Sequence, residues 1–172
     1  MKQIIIVDVE SDGQVPGFNS MVCFGAVIVD KAGKFDKTFY GETAPISNNF
    51  NPEALAVSGI SRDQHLKFPH PRTTMSDFSN WLNSIPGSKV LYSDNNQFDG
   101  MYMNYYCHKF LGLNPFGWSS RRIGDLFCGF FNDPYYKWKK HRKTSHTHNP
   151  VDDAKGNAEA LYWLYTQGYK LF

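Results

Sequence analysis

The chain begins with a strand that is apolar on both faces and ends in acids. Residues 3–9 are β-branched and almost continuously apolar, which is typical of a strand buried on both sides of a sheet. Side chains alternate faces along a strand, so Asp8 and Glu10 lie on the same inward face as Ile6. Unpaired buried charges are very costly, so a chain that begins this way needs a cation beside the end of its first strand.

The rest of the chain alternates helices with strands. Residues 21–30 and 35–42 predict two strands that form a meander with the first, and residues 89–93 predict a fourth. Residues 123–127 predict either a fifth strand or the start of a helix, and residues 133–149 predict a polar loop. Helices are predicted from Asn51, over residues 74–85 and 97–111, and from Asn149 to Gln167. We therefore expect one α/β domain over residues 1–172 with a mixed sheet.

Composition excludes several classes of protein. Of the 172 residues, 41% are hydrophobic and 20% are charged, which supports a sizeable core and excludes intrinsic disorder. The apolar run at residues 4–7 is too short to span a membrane, and the single lysine before it predicts no signal peptide. Three scattered cysteines indicate neither a disulfide framework nor a thiolate zinc site. We expect a cytoplasmic protein with no membrane partner.

Two predicted helices also carry an acid on an apolar face. Asp99 begins a core-facing stripe in the helix over residues 97–111. At about 100° per residue, Asp153 falls inside the apolar arc of the last helix, whereas its neighbour Asp152 faces solvent. Each acid alone is also compatible with an ordinary role at a helix terminus.

The conjunction of four inward acids favours metal binding. The faces that carry Asp8, Glu10, Asp99 and Asp153 contain no lysine or arginine to neutralise them. Carboxylate oxygens suit Mg²⁺ or Mn²⁺, and four carboxylates are more than one such ion normally takes. The sequence therefore predicts a site for two divalent cations.

His148 lies five residues before Asp153, in the loop that leads into the last helix. An imidazole with a pKa near about 6.5 can act as a general base beside such a site. The alternatives are an ordinary surface histidine and a zinc site formed by His141, His146 and His148.

Five segments together resemble the DEDDh 3′→5′ exonucleases, the group that contains RNase T, oligoribonuclease and the proofreading exonucleases. Residues 7–11 (VDVES) resemble the D-x-E-[TS] motif, and residues 96–99 (NQFD) resemble the N-x-x-F-D motif. Residues 148–154 (HNPVDDA) fit H-x4-D-A, while residues 23–27 and 56–61 resemble the I-G-A-V strand and the [HT]-G-I-[TS] segment. The resemblance covers essentially the whole chain, although residues 114–149 match no motif.

The resemblance implies an RNase H-like fold, with a five-stranded mixed sheet of an antiparallel meander plus parallel strands between helices. It also implies two Mg²⁺ or Mn²⁺ ions. By analogy, Asp8 would bridge both ions, Glu10 and Asp153 would hold the one that carries the attacking water, and Asp99 would support the second. His148 would take the proton of the water, and nucleoside 5′-monophosphates would leave from the 3′ end of a single-stranded DNA or RNA.

Substrate contacts are predicted in two places. Just after the first motif, Phe18 and Met21 could pack on the terminal base while Ser11 and Gly13 approach its sugar. Farther along the chain, Trp138 lies within a basic run and could stack on a more distant base while Lys139 and Arg142 meet phosphates.

Other functions remain open at this stage. They are a non-catalytic nucleic-acid-binding module on the same fold and an RNase H-type endonuclease, which would need no free 3′ end. The many aromatic residues are also compatible with a homodimer.

Overall fold

A computed structural model describes residues 2–172 of the chain. Its five strands are β1 (Lys2–Ser11), β2 (Met21–Val29), β3 (Thr38–Glu42), β4 (Ser88–Ser93) and β5 (Arg121–Arg122). The helices are α1 (Pro52–Val57), α2 (Arg62–His65), α3 (Pro71–Asn83), α4 (Met101–Leu111), α5 (Ile123–Phe131) and α6 (Pro150–Thr166). A π-helical turn, Asn96–Gly100, precedes α4, and a 3-10 turn, Trp138–His141, lies between α5 and α6.

The strands form one mixed sheet in the order β3-β2-β1-β4-β5. The first three strands are an antiparallel meander, and β4 and β5 run parallel to β1. This confirms the predicted fold class, with the acid-ended strand β1 at the centre of the sheet.

The alternation of side chains along β1 divides the core into two layers. Ile5, Val7 and Val9 pack with α3 and α4 on one side of the sheet, and Ile4 and Ile6 pack with α6 on the other. A strand buried on both sides explains the continuous apolar run of residues 3–9.

The structure differs from the sequence prediction at several element boundaries. β3 begins at Thr38 rather than at residue 35, and Phe35 lies before the strand, edge-on against Tyr162 of α6. α3 begins three residues before the predicted start, since His70 caps it and Pro71 occupies the first helical position. Of the two alternatives at residues 123–127 the helix is correct, and the fifth strand is the two residues before it.

Within residues 2–172, no helix is both long enough and apolar enough to cross a membrane. The longest, α6, has 17 residues and carries the buried Asp153 in its first turn.

Candidate active site

Three of the predicted carboxylates lie together at the end of β1. Asp8, Glu10 and Asp153 each place a carboxylate oxygen within 4.8 Å of the others. The close approach of α6 to the sheet makes this possible: Gly25 of β2 pairs with Asp8, and a Cβ atom on Gly25 would lie 2.4 Å from the backbone of Pro150. A glycine at that position therefore lets the first turn of α6 rest directly beside the Asp8 carboxylate.

Asp99 approaches β1 from the opposite layer of the fold. Its side chain is buried and accepts hydrogen bonds from the backbone N–H of Val9 at 3.2 Å and of Asn95 at 3.1 Å. The π-helical turn before α4 thus ties the carboxylate of Asp99 to the strand that carries Asp8 and Glu10.

Crowding of these acids in a poorly hydrated site perturbs their titration. Burial, with repulsion from Asp153 and Asp99, raises the pKa of Glu10 to about 7. Burial also raises the pKa of Asp99 to about 7, although the backbone N–H groups of Asn95 and Val9 act to lower it. The pKa of Asp8 is raised well above its ordinary value by burial and by the surrounding carboxylates.

The prediction that Asp153 faces the core and Asp152 faces solvent is confirmed. Asp153 is 0% exposed, whereas Asp152 is partly exposed and accepts a hydrogen bond from the Thr147 hydroxyl. Only one aspartate of the pair therefore belongs to the cluster.

The expectation that no lysine or arginine neutralises the cluster is wrong for Asp153. Arg142, with a side chain 8% exposed, donates from Nη2 to Oδ1 of Asp153 at 2.7 Å. The guanidinium lies over Gly156, where a Cβ atom would be 2.4 Å from Nε. Sequence reasoning missed this contact because Arg142 comes from a loop, although the glycine three residues after Asp153 in a helix interior is a signal of close approach.

His146 and His148 flank the same carboxylate. Nδ1 of His146 lies 2.7 Å from Oδ1 of Asp153, and the backbone N–H of His148 donates to Oδ2 at 3.0 Å. The imidazole of His148 is half-exposed, with Nδ1 3.7 Å from Oε1 of Glu10. His148 thus lies at the solvent edge of the cluster, with its backbone at a φ of 59°.

The alternative zinc site of three histidines does not form. His141 stacks on Trp163 with ring centroids 3.4 Å apart, and its Nε2 lies 2.9 Å from the Tyr136 hydroxyl. Among the described residues, His146 and His148 are instead grouped with Asp153.

In the first predicted contact region, Phe18 is accessible to substrate and Met21 is not. Phe18 is 60% exposed and lines a surface cavity with Gly13, next to the buried Ser11. Met21 is fully buried, with its side chain in the core, and cannot pack on a base as predicted.

In the second predicted contact region, the predictions for Trp138 and Arg142 are both wrong. Trp138 is 5% exposed and packs near Phe127, so it is not available to stack on a distant base. Arg142 is bound to Asp153 rather than presented to phosphate. Lys139 remains exposed, paired with Asp94 at 2.5 Å. The alternation of basic and aromatic residues resembles a binding loop because the partners of Trp138 and Arg142 belong to α5 and α6, outside the basic run itself.

No family model matches the chain, but one characterised protein is similar to it over nearly its whole length. The chain is 32% identical over 166 residues to the 3′-5′ DNA exonuclease Cap18 of Escherichia coli, covering 94% of this chain and 86% of that protein.

Solved structures share the fold at lower identity. The nuclease domain of 3′hExo, a DEDDh family member bound to rAMP, matches with a TM-score of 0.79 at 18% identity, over 99% of this chain and 94% of that one. Cell-death related nuclease 4 matches with a TM-score of 0.78 at 14% identity, over 96% and 64%. E. coli exonuclease I in complex with a dT13 oligonucleotide matches with a TM-score of 0.76 at 16% identity, over 96% and 41%. The fold is therefore that of the DEDDh exonucleases, and the 32% identity to the E. coli protein over 94% of the chain shows that the chain belongs to that family of 3′–5′ exonucleases.

Proposed function

We propose that the protein is a divalent-cation-dependent exonuclease that degrades single-stranded nucleic acid from its 3′ end and releases nucleoside 5′-monophosphates. The observation that carries the proposal is the grouping of Asp8, Glu10 and Asp153 within 4.8 Å. DNA is the substrate to test first, since the 32% identical relative is named as a DNA exonuclease.

The donor set fits divalent cations. Asp8 and Glu10 form no ion pair with any lysine or arginine of residues 2–172. Arg142 pairs with Asp153 and also acts to lower the raised pKa of Asp8, so one guanidinium faces three clustered carboxylates. Carboxylates whose pKa is raised by one another are stabilised in their ionised form by a bound cation. Oxygen ligands of this kind are those that Mg²⁺ and Mn²⁺ prefer.

Four acids would share the cations. Asp8, Glu10 and Asp153 would hold the cations directly, and Asp99, which the preceding turn fixes against the backbone of Val9, would supply a fourth carboxylate. Bound there, the cations would supply an acidified water and offset the charge of the scissile phosphodiester.

His148 accepts the proton of the attacking water. Its half-exposed imidazole lies at the solvent edge of the cluster, while its backbone N–H holds Oδ2 of Asp153. In-line attack by water on the last phosphodiester breaks the bond to the 3′ oxygen of the preceding nucleotide and leaves the phosphate on the released 5′-monophosphate.

The test uses single strands labelled at the 3′ or the 5′ end, with Mg²⁺ or with EDTA. We expect the 3′ label to leave at once as a mononucleotide, the 5′-labelled strand to shorten stepwise, and both reactions to stop in EDTA. Cleavage of a circular single strand would indicate an endonuclease instead. Binding without cleavage in Mg²⁺ would indicate a non-catalytic module.

A further inference from the structure

The most exposed large apolar side chain of the described residues lies outside the carboxylate cluster. Trp118 is fully exposed to solvent, at the edge of a cavity of about 590 Å³ between α4 and the loop that follows it. Asn104, His108, Leu113 and Asn114 also line this cavity. A flat indole held entirely in water offers an apolar face whose burial by a ligand would be favourable.

The loop that carries Trp118 is fixed to the turn that carries Asp99. The side-chain amide of Asn96 forms four hydrogen bonds in one orientation. Its nitrogen donates to the hydroxyls of Ser93 and Ser120, and its oxygen accepts from the backbone N–H of Arg121 at 3.2 Å and of Arg122 at 2.8 Å. Ser120 Oγ would lie 3.2 Å from a Cβ atom on Gly100, the residue after Asp99.

This attachment limits how far the indole lies from the acids. Two residues of chain span at most about 7 Å, so the backbone of Trp118 remains close to Ser120 and to the beginning of α4. A stacked strand rises about 3.4 Å per nucleotide. A strand whose 3′ end lies at the carboxylates can therefore span the distance to the indole within a few nucleotides.

The chemistry of the cavity suits a nucleobase. Asn114 donates from Nδ2 to Oδ1 of Asn104 at 2.9 Å, which leaves the amide nitrogen of Asn104 to donate to the edge of a base. No carboxylate lines the cavity, and Lys109 follows the lining residue His108 in the sequence. An exposed aromatic side chain is the kind of surface on which bases of a single strand stack without sequence preference.

We propose that Trp118 stacks on a base of the bound single strand a few nucleotides from its 3′ end, with Asn104 beside the edge of that base. The inference rests on the proposed exonuclease function. It assigns to Trp118 the role that the sequence had suggested for Trp138, which is buried in the core.

The experiment measures binding by the wild-type protein in EDTA, where no cleavage occurs. The ligands are a trinucleotide of deoxythymidine and a deoxythymidine strand of about twelve nucleotides. Tryptophan fluorescence reports stacking because the other three tryptophans of the chain, Trp81, Trp138 and Trp163, are buried or partly buried.

We expect the longer strand to quench the fluorescence more than the trinucleotide does. Trp118→Ala should weaken binding of the longer strand by about 5- to 150-fold, which corresponds to the loss of one stacked base. The affinities of this variant for the longer strand and for the trinucleotide should therefore differ less than those of the wild type. Trp118→Phe should bind the longer strand nearly as well as the wild type, yet without the quench, because phenylalanine also stacks. Tyr135→Ala, at an 87% exposed aromatic residue, serves as the control and should bind like the wild type.

An unchanged affinity of Trp118→Ala for the longer strand would overturn the inference. If sedimentation then shows a changed oligomeric state of that variant, the indole is instead a contact between copies of the chain. Failure of the wild-type protein to degrade any strand in Mg²⁺ would instead refute the proposed function, so the two failures are distinguishable.

Discussion

Gly156→Ala is expected to destabilise the protein, although the same change usually stabilises a helix. In an ordinary helix interior, alanine is favoured over glycine by about 1 kcal/mol. In α6, however, the new Cβ atom would lie 2.4 Å from Nε and 2.8 Å from Nη2 of Arg142. The guanidinium must then move and give up its 2.7 Å contact with the buried Asp153.

The magnitude follows from the two opposing contributions. Removing one partner of a buried ion pair costs about 3–5 kcal/mol. Displacing Arg142 costs less, on the order of 2–3 kcal/mol by the same rule, because Asp153 keeps the contacts from His146 and from the backbone of His148. Subtracting the gain in helix propensity leaves a net loss of about 1–2 kcal/mol, or about 2–8 °C in Tm.

The decisive comparison repeats the substitution without the arginine. In an Arg142→Ala background the new methyl group meets no guanidinium, so Gly156→Ala should raise the free energy of unfolding by up to about 1 kcal/mol. Urea denaturation in EDTA measures both cases. Gly129→Ala in α5, where a Cβ atom meets nothing within 4 Å, is the control and should stabilise both backgrounds. If Gly156→Ala stabilises the protein with Arg142 present, the proposed contact between Arg142 and Asp153 is refuted.

Three further predictions concern the acids and the base. Asp153→Asn should lower the exonuclease rate by at least about 10³-fold, and Asp152→Asn by less than about twofold; equal losses in a single-turnover assay would refute the facing of α6. His148→Ala should lower the rate by about 10²–10⁴-fold while Mn²⁺ affinity, measured by calorimetry, persists; loss of metal affinity would show that His148 is a ligand. The pKa of Glu10, about 7 in the folded protein, exceeds the value near 4.5 expected after unfolding, so its contribution to stability is complete below about pH 4.5 and is lost as the pH rises through 7. In EDTA, chemical denaturation between pH 5 and 8 should show this loss, on the order of 3 kcal/mol from Glu10, on top of the loss from Asp99, whose pKa is also about 7. Glu10→Gln should make the fall in stability shallower by the part that comes from Glu10; an equally steep fall in that variant would refute the assignment.

Local patterns predicted most of the fold and the carboxylates. The continuous apolar run of β1 indicated a strand covered on both sides, and the period of α6 distinguished Asp153 from Asp152. Both signals depend only on residues within one element, where the alternation of a strand or the period of a helix predicts which face is buried.

Contacts between distant segments were not predictable in the same way. Nothing near Trp138 in the sequence shows that it packs against Phe127, and nothing near Arg142 shows that it binds Asp153. Exposed and buried positions in an irregular loop have no period, so the basic run of residues 137–143 resembled a binding surface. The exposed Trp118 was missed for the same reason.

The most direct test of the carboxylate cluster is a crystal of the protein grown with Mn²⁺ and measured for anomalous scattering. If the carboxylates hold divalent cations, anomalous peaks will lie within about 2–2.5 Å of carboxylate oxygens of Asp8, Glu10 and Asp153. Diffraction that shows no manganese there, with Asp8 and Glu10 turned apart or paired with basic side chains, would contradict it.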